Sequence, residues 1–400
     1  MGRESQLSDI SFPDGFLWGT ATASHQVEGD NFNNDWWDGE QKGLLQHSSG
    51  RACDSYNRYE EDFDLAVAMH NNAHRFSIEW ARIEPEEGKF NREGVEHYRN
   101  VIRALRVRGL EPFVTLYHFT IPTWLAKKGG WTNKNVSRYF ERYVEFVAKH
   151  LSKEVTFWIT INEPSVVTFI GYLAGLWPPF RKKDFLRCIL SLWNMVRAHR
   201  CAYNVLRKYN SHARVGIAMH VVCYEPERGI FKRPGNSILA AIARYCSNYW
   251  FLNRIKAHQD FVGLNYYRHV KVSVLKGIRE GKGEQSDFGW EIYPQGIYQV
   301  VKEAFRRYEK PIYILENGVA DADDDQRPDF IKNHLKWLKK AISDGVDVRG
   351  YFHWSLLDNF EWAEGFTKRF GLVEVDFSSF KRTIRPSGKL YGEICKNNGF

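Results

Sequence analysis

Short hydrophobic runs alternate with longer stretches of helical repeat from one end of the chain to the other. The runs fall at 16–21 (FLWGTA), 73–78 (AHRFSI), 110–117 (LEPFVTLY), 155–161 (VTFWITI), 214–220 (RVGIAMH), 260–264 (DFVGL), 311–315 (PIYIL) and 348–354 (VRGYFHW). Several, such as VTFWITI, are dense in β-branched and aromatic residues, which suits strands covered on both faces. Between and after them, apolar residues recur every three or four positions near 58–70, 94–108, 137–151, 184–209, 236–255, 295–308, 328–344 and 386–396. Strands alternating with helices imply parallel pairing through right-handed crossovers. Eight such units, with no Gly/Ser/Pro-rich linker and no repeat, predict an α/β protein. The expected architecture is one closed (β/α)8 barrel domain spanning 1–400 rather than an open doubly wound sheet.

A barrel of this kind carries its chemistry at the C-terminal ends of its strands. Polar residues gather there: His25, Gln26 and Glu28 after the first run, His118 after the third and Asn162 and Glu163 after the fourth. Asn265 and Tyr267 follow the sixth run, Glu316 and Asn317 the seventh, and Trp354, Glu361 and Trp362 the eighth, while Arg75 sits inside the second. The stretch TFWITINEP (156–164) carries a buried strand to its end and places a carboxylate there, before a proline that disfavours helix at the preceding residue. Glu163 and Glu316 thus face each other across the barrel mouth. Two carboxyl groups over one cleft meet the needs of glycoside hydrolysis, an acid for the leaving oxygen and a carboxylate that attacks or directs water. At about 5 Å and an effective dielectric near 20, their repulsion is about 3 kcal/mol, which separates their pKa values by roughly two units. If Arg75 and the Tyr267 phenol reach Glu316, they hold it ionised and leave Glu163 as the acid.

Composition narrows the field further. Hydrophobic residues at 43% and charged residues at 26% exclude disordered and fibrous classes. Aromatic residues reach 15%, more than a core needs, and aromatic faces stack on the apolar faces of sugars. The net charge of +8 is dispersed: no basic run is longer than Arg181-Lys182-Lys183, and acids interleave along the helical stretches, so nucleic-acid binding is not expected. Six cysteines at 53, 188, 201, 223, 246 and 395 show no paired spacing, which points to free thiols in a reducing compartment. The first residues, MGRESQLSDI, lack the apolar core of a signal peptide, and no apolar run reaches membrane-spanning length. A cytoplasmic protein with no membrane partner is therefore expected, of undetermined oligomeric state. The DADDD stretch at 321–325 has half of a calcium loop, but Gln326 and Lys332 stand where glycine and the bidentate glutamate belong, so it reads as a solvated loop.

The chain resembles glycoside hydrolase family 1, the β-glucosidase and β-galactosidase family. The resemblance rests on FLWGTATASHQVEG (16–29), HRFSIEWARI (74–83), TLYHF (115–119), TINEP (160–164), DFVGLNYY (260–267), GWEIYPQG (289–296), YILENGVAD (313–321) and WSLLDNFEWAEGF (354–366). It implies that Glu163 is the acid/base and Glu316 the nucleophile of a retaining double displacement, with Arg75, Asn265 and Tyr267 positioning and tuning Glu316. It also implies that Asn162 binds the sugar 2-hydroxyl, that Gln26, His118, Glu361 and Trp362 bind the 3-, 4- and 6-hydroxyls, and that Trp354 forms the stacking floor. No metal or organic cofactor is implied. The expected activity is hydrolysis of terminal non-reducing β-D-glucosyl residues, extending to galactosyl and fucosyl residues. A non-catalytic sugar-binding barrel and a 6-phospho-β-glycosidase are the alternatives. The first is opposed by the presence of both glutamates, and the second by Glu361 and Trp362 standing where that subgroup carries phosphate binders. Three departures from the family pattern stand out: Thr120-Ile121, Ile161 before the Asn-Glu-Pro, and a shortened excursion near 252–260, expected to open the cleft rim.

Overall fold

A computed structural model describes residues 10–227 and 234–400 of the chain, so most of the N-terminal stretch read above for a targeting signal lies outside the described residues. The barrel strands are β1 (Leu17–Ala21), β2 (Ala73–Ser77), β3 (Glu111–Thr115), β4 (Phe157–Asn162), β5 (Arg214–Pro226), β6 (Val262–Ser273), β8 (Ile312–Asn317) and β9 (Val348–Trp354). They pair in parallel in the order β5-β4-β3-β2-β1-β9-β8-β6, and β5 pairs with β6 to close the cylinder. Outside the barrel β7 (Gly277–Glu280) runs antiparallel to β6, and two short strands, β10 (Val373–Val375) and β11 (Arg382–Ile384), pair with each other. All eight hydrophobic runs therefore became barrel strands.

Inside the cylinder the strands contribute a plug of aromatic rings. Phe113 stacks on Phe157 at 4.2 Å and meets Phe352 at 4.7 Å, and Phe261 meets Tyr313 at 5.3 Å. Large rings fit because small residues face them, as in other barrels where the interior is filled by layers of side chains. A Cβ on Gly216 would lie 2.7 Å from the Phe261 ring. These rings form the floor beneath the site. Above it the inward-facing residues become polar: Arg75, Asn162, Asn265 and Glu316.

Outside, the helices are α1 (Ser55–Ala68), α2 (Arg92–Val107), α3 (Val136–Leu151), α4 (Phe185–Tyr209), α5 (Pro234–Arg244), α6 (Trp250–Ile255), α7 (Gln295–Tyr308), α8 (Arg327–Ser343) and α9 (Pro386–Asn397). Their apolar stripes face the strands. In α2 the buried face is Val95, Tyr98, Val101, Ile102 and Leu105, an i, i+3, i+4, i+7 pattern, and Asn91 caps its start by accepting from the Glu93 N–H at 3.0 Å.

Two features depart from the sequence expectation. The periodic stretch 236–255 is not one helix, because a π-turn at Tyr245–Tyr249 separates α5 from α6. The buried Asn248 side chain exchanges two hydrogen bonds with the backbone of Val222, at 3.1 and 2.9 Å, and this pins the wider turn to β5. Strands β5 and β6 also run well past 220 and 264, staying paired as far as Pro226 and Val272. Val222, Val270 and Val272 bury one face of this extension against Ala240 and Leu239 of α5. At its far end α6 leads into β6 through a single turn at Lys256–His258.

Candidate active site

Strand ends bring the polar residues to one rim. Asn162 is the last residue of β4, and Glu163 follows it in the left-handed region, at φ 44°. This conformation is uncommon for a residue with a side chain and costs on the order of 1–3 kcal/mol. The neighbourhood holds it there. The Glu163 N–H donates to the carbonyl of Ala218 in β5 at 2.8 Å, and its own carbonyl accepts from Val166 at 3.0 Å as the next helical turn begins. The bend swings the carboxyl of Glu163 off the strand axis and over the barrel mouth.

Glu316 lies within β8 and is almost fully buried. Its Oε1 pairs with the Arg75 guanidinium, and its Oε2 accepts from the Tyr267 hydroxyl at 2.7 Å. Arg75, on β2, is completely buried, so its charge requires partners on every side. Besides Glu316 it donates from Nε to Thr115 Oγ1 at 3.1 Å and from Nη2 to Asn162 Oδ1 at 2.7 Å. Asn265, on β6, donates to Glu163 Oε1 at 2.8 Å and to Asn162 Oδ1 at 3.3 Å. An unbroken chain of hydrogen bonds therefore runs from Glu163 through Asn265, Asn162 and Arg75 to Glu316 and Tyr267. It joins strands β2, β4, β6 and β8.

The electrostatics of this chain differ from the expectation in one respect. Arg75 and Tyr267 do reach Glu316, yet burial outweighs them. Desolvation and the neighbouring Glu163 push the Glu316 carboxyl up to about 7, against the pull of Arg75 and the Tyr267 hydrogen bond. Geometry favours the carboxylate at higher pH, because a guanidinium can only donate to Oε1. Tyr267 itself stays a phenol, since burial and the two glutamates hold its pKa well above its usual range.

On the other side of the mouth, His118 Nε2 lies 3.2 Å from Asn162 Nδ2. The amide can only donate there, so the imidazole proton belongs on Nδ1, which has no partner among the described residues. Burial and Arg75 keep this ring neutral, with a pKa well below its usual value. Gln26 Nε2 donates to Asn359 Oδ1 at 3.0 Å, to the Phe360 carbonyl at 3.0 Å and to Glu361 Oε2 at 3.2 Å, while its Oε1 is buried without a partner. Glu361 is pushed up to about 8 by burial and by the charges of Glu316 and Glu163, against the Gln26 hydrogen bond. Unpaired buried polar atoms are costly, about 1–3 kcal/mol each. Three of them here, Gln26 Oε1, His118 Nδ1 and Asn265 Oδ1, belong to residues of one rim, and a polyhydroxylated ligand would satisfy them.

The rings complete the walls. Trp354 ends β9, and the His118 ring lies nearly parallel to it at 6.0 Å. Trp362 is packed among Trp36 at 4.6 Å, Phe119 at 5.0 Å and Trp177 at 5.8 Å. Trp36 and Trp177 escaped the sequence reading because both lie outside the hydrophobic runs. His220 escaped it too, although it closes the fifth run. Its Nδ1 is 3.5 Å from Glu163 Oε1.

Other polar residues at strand ends serve the scaffold. Glu28 accepts from Arg82 and from the Tyr98 hydroxyl at 2.8 Å each, His25 faces Glu40 at 3.4 Å, and Asn317 is held by the Tyr351 hydroxyl at 2.9 Å. In the DADDD stretch, Asp321 Oδ2 accepts from the N–H groups of Gln326 and Arg327 at 3.1 and 2.8 Å, and Asp324 pairs with the buried Arg327. Asp321 therefore acts on the start of α8. Thr120, a departure from the resemblance, donates to the buried Glu79 at 2.8 Å.

The sequence and fold are similar to known proteins over nearly their whole length. The family model described as glycosyl hydrolase family 1 matches residues 8–254 and 249–400. A β-glucosidase A of Thermotoga maritima is 36% identical over 448 aligned residues, covering 97% of this chain and 98% of that one. A β-glycosidase from Pyrococcus horikoshii superposes with a TM-score of 0.92 at 40% identity, covering 98% of this chain and 96% of that one. A β-glucosidase from Thermotoga maritima in complex with glucoimidazole gives a TM-score of 0.92 at 35% identity, covering 98% and 100%. With a closed parallel barrel, two carboxyl groups at its C-terminal rim and these matches, the chain belongs to glycosyl hydrolase family 1.

Proposed function

We propose that the protein is a retaining β-glycosidase that removes terminal non-reducing β-D-glucosyl residues, and galactosyl or fucosyl residues as well, by double displacement. The supporting observation is the hydrogen-bond chain that ties Glu163 on β4 to Glu316 on β8 and places the only guanidinium of that chain on Glu316. In this reading Glu316, as carboxylate, attacks the anomeric carbon while Glu163 gives its proton to the leaving oxygen. Glu163 then takes a proton from water as that water attacks the glycosyl-enzyme ester, and Glu316 is released. Arg75 and Tyr267 hold the two oxygens of Glu316 so that one lone pair stays aimed at the sugar. Asn162 is in place for the 2-hydroxyl, where hydrogen bonds strengthen toward the transition state.

Gln26, His118 and Glu361 supply an acceptor, a neutral donor and a carboxyl group for the remaining hydroxyls. Trp362 adds an indole N–H for a hydroxyl, and Trp354 gives the apolar face on which the ring stacks. Glu361, protonated below about pH 8, can donate as well as accept. The unpaired thiols agree with a cytoplasmic setting, and no helix among the described residues is long and apolar enough to cross a membrane. The single turn between α6 and β6 fits the shortened excursion and, in this reading, leaves the leaving-group side open.

NMR of an aryl β-glucoside digest tests the reading directly: the β-anomer of glucose appears first. With Glu316→Ala, turnover falls to background and added azide restores release with an α-glycosyl azide as product. A β-glycosyl azide from that variant would reverse the two roles. A panel of nitrophenyl β-gluco-, galacto-, fuco-, manno- and 6-phosphoglycosides fixes the substrate class, and silence on all of them would favour a binding barrel.

A further inference from the structure

We propose that His220 is a positioning residue for the proton-donating carboxyl, an inference that rests on the assignment of Glu163 as the acid. His220 stands on β5 in register with Asn265 on the neighbouring β6. The two side chains converge on one oxygen: Asn265 Nδ2 donates to Glu163 Oε1 at 2.8 Å, and His220 Nδ1 lies 3.5 Å from the same atom. Nδ1 is buried and makes no hydrogen bond among the described residues, so Glu163 Oε1 at 3.5 Å is within reach of a donor that nothing else engages. The ring is held in orientation by Tyr267, nearly parallel at 6.2 Å. Strand β5 therefore holds the Glu163 backbone through the Ala218 carbonyl and brings His220 up to its side chain.

The arrangement has a chemical consequence. Glu163 has to carry a proton on the oxygen that faces the leaving group, deliver it, and later collect another. A carboxyl group with two N–H donors on Oε1 carries its proton on Oε2, because a proton on Oε1 would meet the donors head on. His220 with its proton on Nδ1, together with Asn265, thus selects which oxygen is the acid. It also keeps that oxygen turned toward the substrate through the swing from acid to base. No proton moves to or from the imidazole in this role. Other parts of the site leave the task unfilled, since Arg75 and Tyr267 are both engaged with Glu316.

The test is a leaving-group series of aryl and alkyl β-glucosides on five proteins: wild type, Glu163→Gln, His220→Ala, His220→Asn and His220→Gln. Activated leaving groups such as dinitrophenolate need no proton, whereas alkoxides do. His220→Ala should lose about 10- to 100-fold in kcat/KM on poor leaving groups and less than about threefold on dinitrophenyl glucoside, a part of the roughly 100- to 10,000-fold that positioned proton transfer as a whole contributes. His220→Asn places an amide N–H close to the position of Nδ1 and should recover most of the loss. His220→Gln, whose amide lies one bond farther out, should not, and this pair decides the matter if the alanine variant fails to fold. Equal losses on all leaving groups, or an asparagine variant no better than the glutamine one, would overturn the proposal. If Glu163→Gln itself shows no dependence on the leaving group, the acid assignment fails first; if it does and the His220 variants do not, only the role of His220 is lost.

Discussion

Glu316 shows what burial does to a single carboxylate. Its pKa of about 7 means that this carboxyl, the proposed nucleophile, becomes fully ionised only as pH rises through neutrality, so kcat/KM should have an acidic limb near pH 7. Arg75 is the largest influence holding that value down. Arg75→Met should move the limb upward by about one to three pH units, the usual effect of removing an adjacent opposite charge. A limb that stays in place in the pH–rate profile would assign it to another group. Glu361 carries a related consequence for stability. In the unfolded chain it ionises near its ordinary value, whereas in the folded protein it stays protonated up to about pH 8. The native state therefore binds more protons, and stability falls as pH rises from about 4.5 to about 8. Glu361→Gln removes this ionisation, so its thermal midpoint should fall less than that of the wild type over this window. Parallel pH curves for the two would count against the burial argument.

At the scale of elements, the strands are held by close contact that admits little adjustment. A Cβ on Gly263 of β6 would lie 2.3 Å from the Ile217 carbonyl oxygen and 2.3 Å from a Leu315 methyl. The backbone contact cannot be relieved by a rotamer change, so Gly263→Ala should destabilise by about 1–3 kcal/mol in chemical denaturation. It should also lower kcat, because Asn265 lies two residues along the strand. A variant of unchanged midpoint would show the barrel to be softer than its packing suggests. The acidic loop before α8 gives a milder case. Asp321 accepts two backbone N–H groups at that end of the helix, and Asp321→Ala should cost about 1–2 kcal/mol, with kcat unchanged. A fall in kcat instead would give this loop a part in the site. The extension of β5 and β6 past the rim lay outside the runs read at 214–220 and 260–264, although RHVKVS (268–273) alternates as a strand does and VVCY (221–224) is apolar. Its structural effect is to anchor α5 and to fix the wall on which His220 stands.

At the scale of the molecule, barrel closure through β5 and β6 makes every barrel strand dependent on two neighbours. Activity, tryptophan fluorescence and far-ultraviolet ellipticity should therefore be lost together in denaturant. Separate transitions would divide the chain into more than one folding unit. The one-dimensional pattern was enough to mark the eight barrel strands, the main helices between them and the two glutamates as candidates, because hydrophobic periodicity and residue type are local properties and the barrel rule assigns strand ends to a common rim. Only the tertiary structure decided which polar strand ends converge. Gln26, His118, Asn162, Glu163 and Glu316 join the site while His25, Glu28 and Asn317 turn to scaffold partners, and this depends on side-chain direction and on what lies opposite. It also decided the left-handed turn at Glu163, the approach of His220 and the upward pKa of Glu316. Each of these comes from contacts between segments far apart in the chain, and desolvation is a property of the enclosure rather than of the residue.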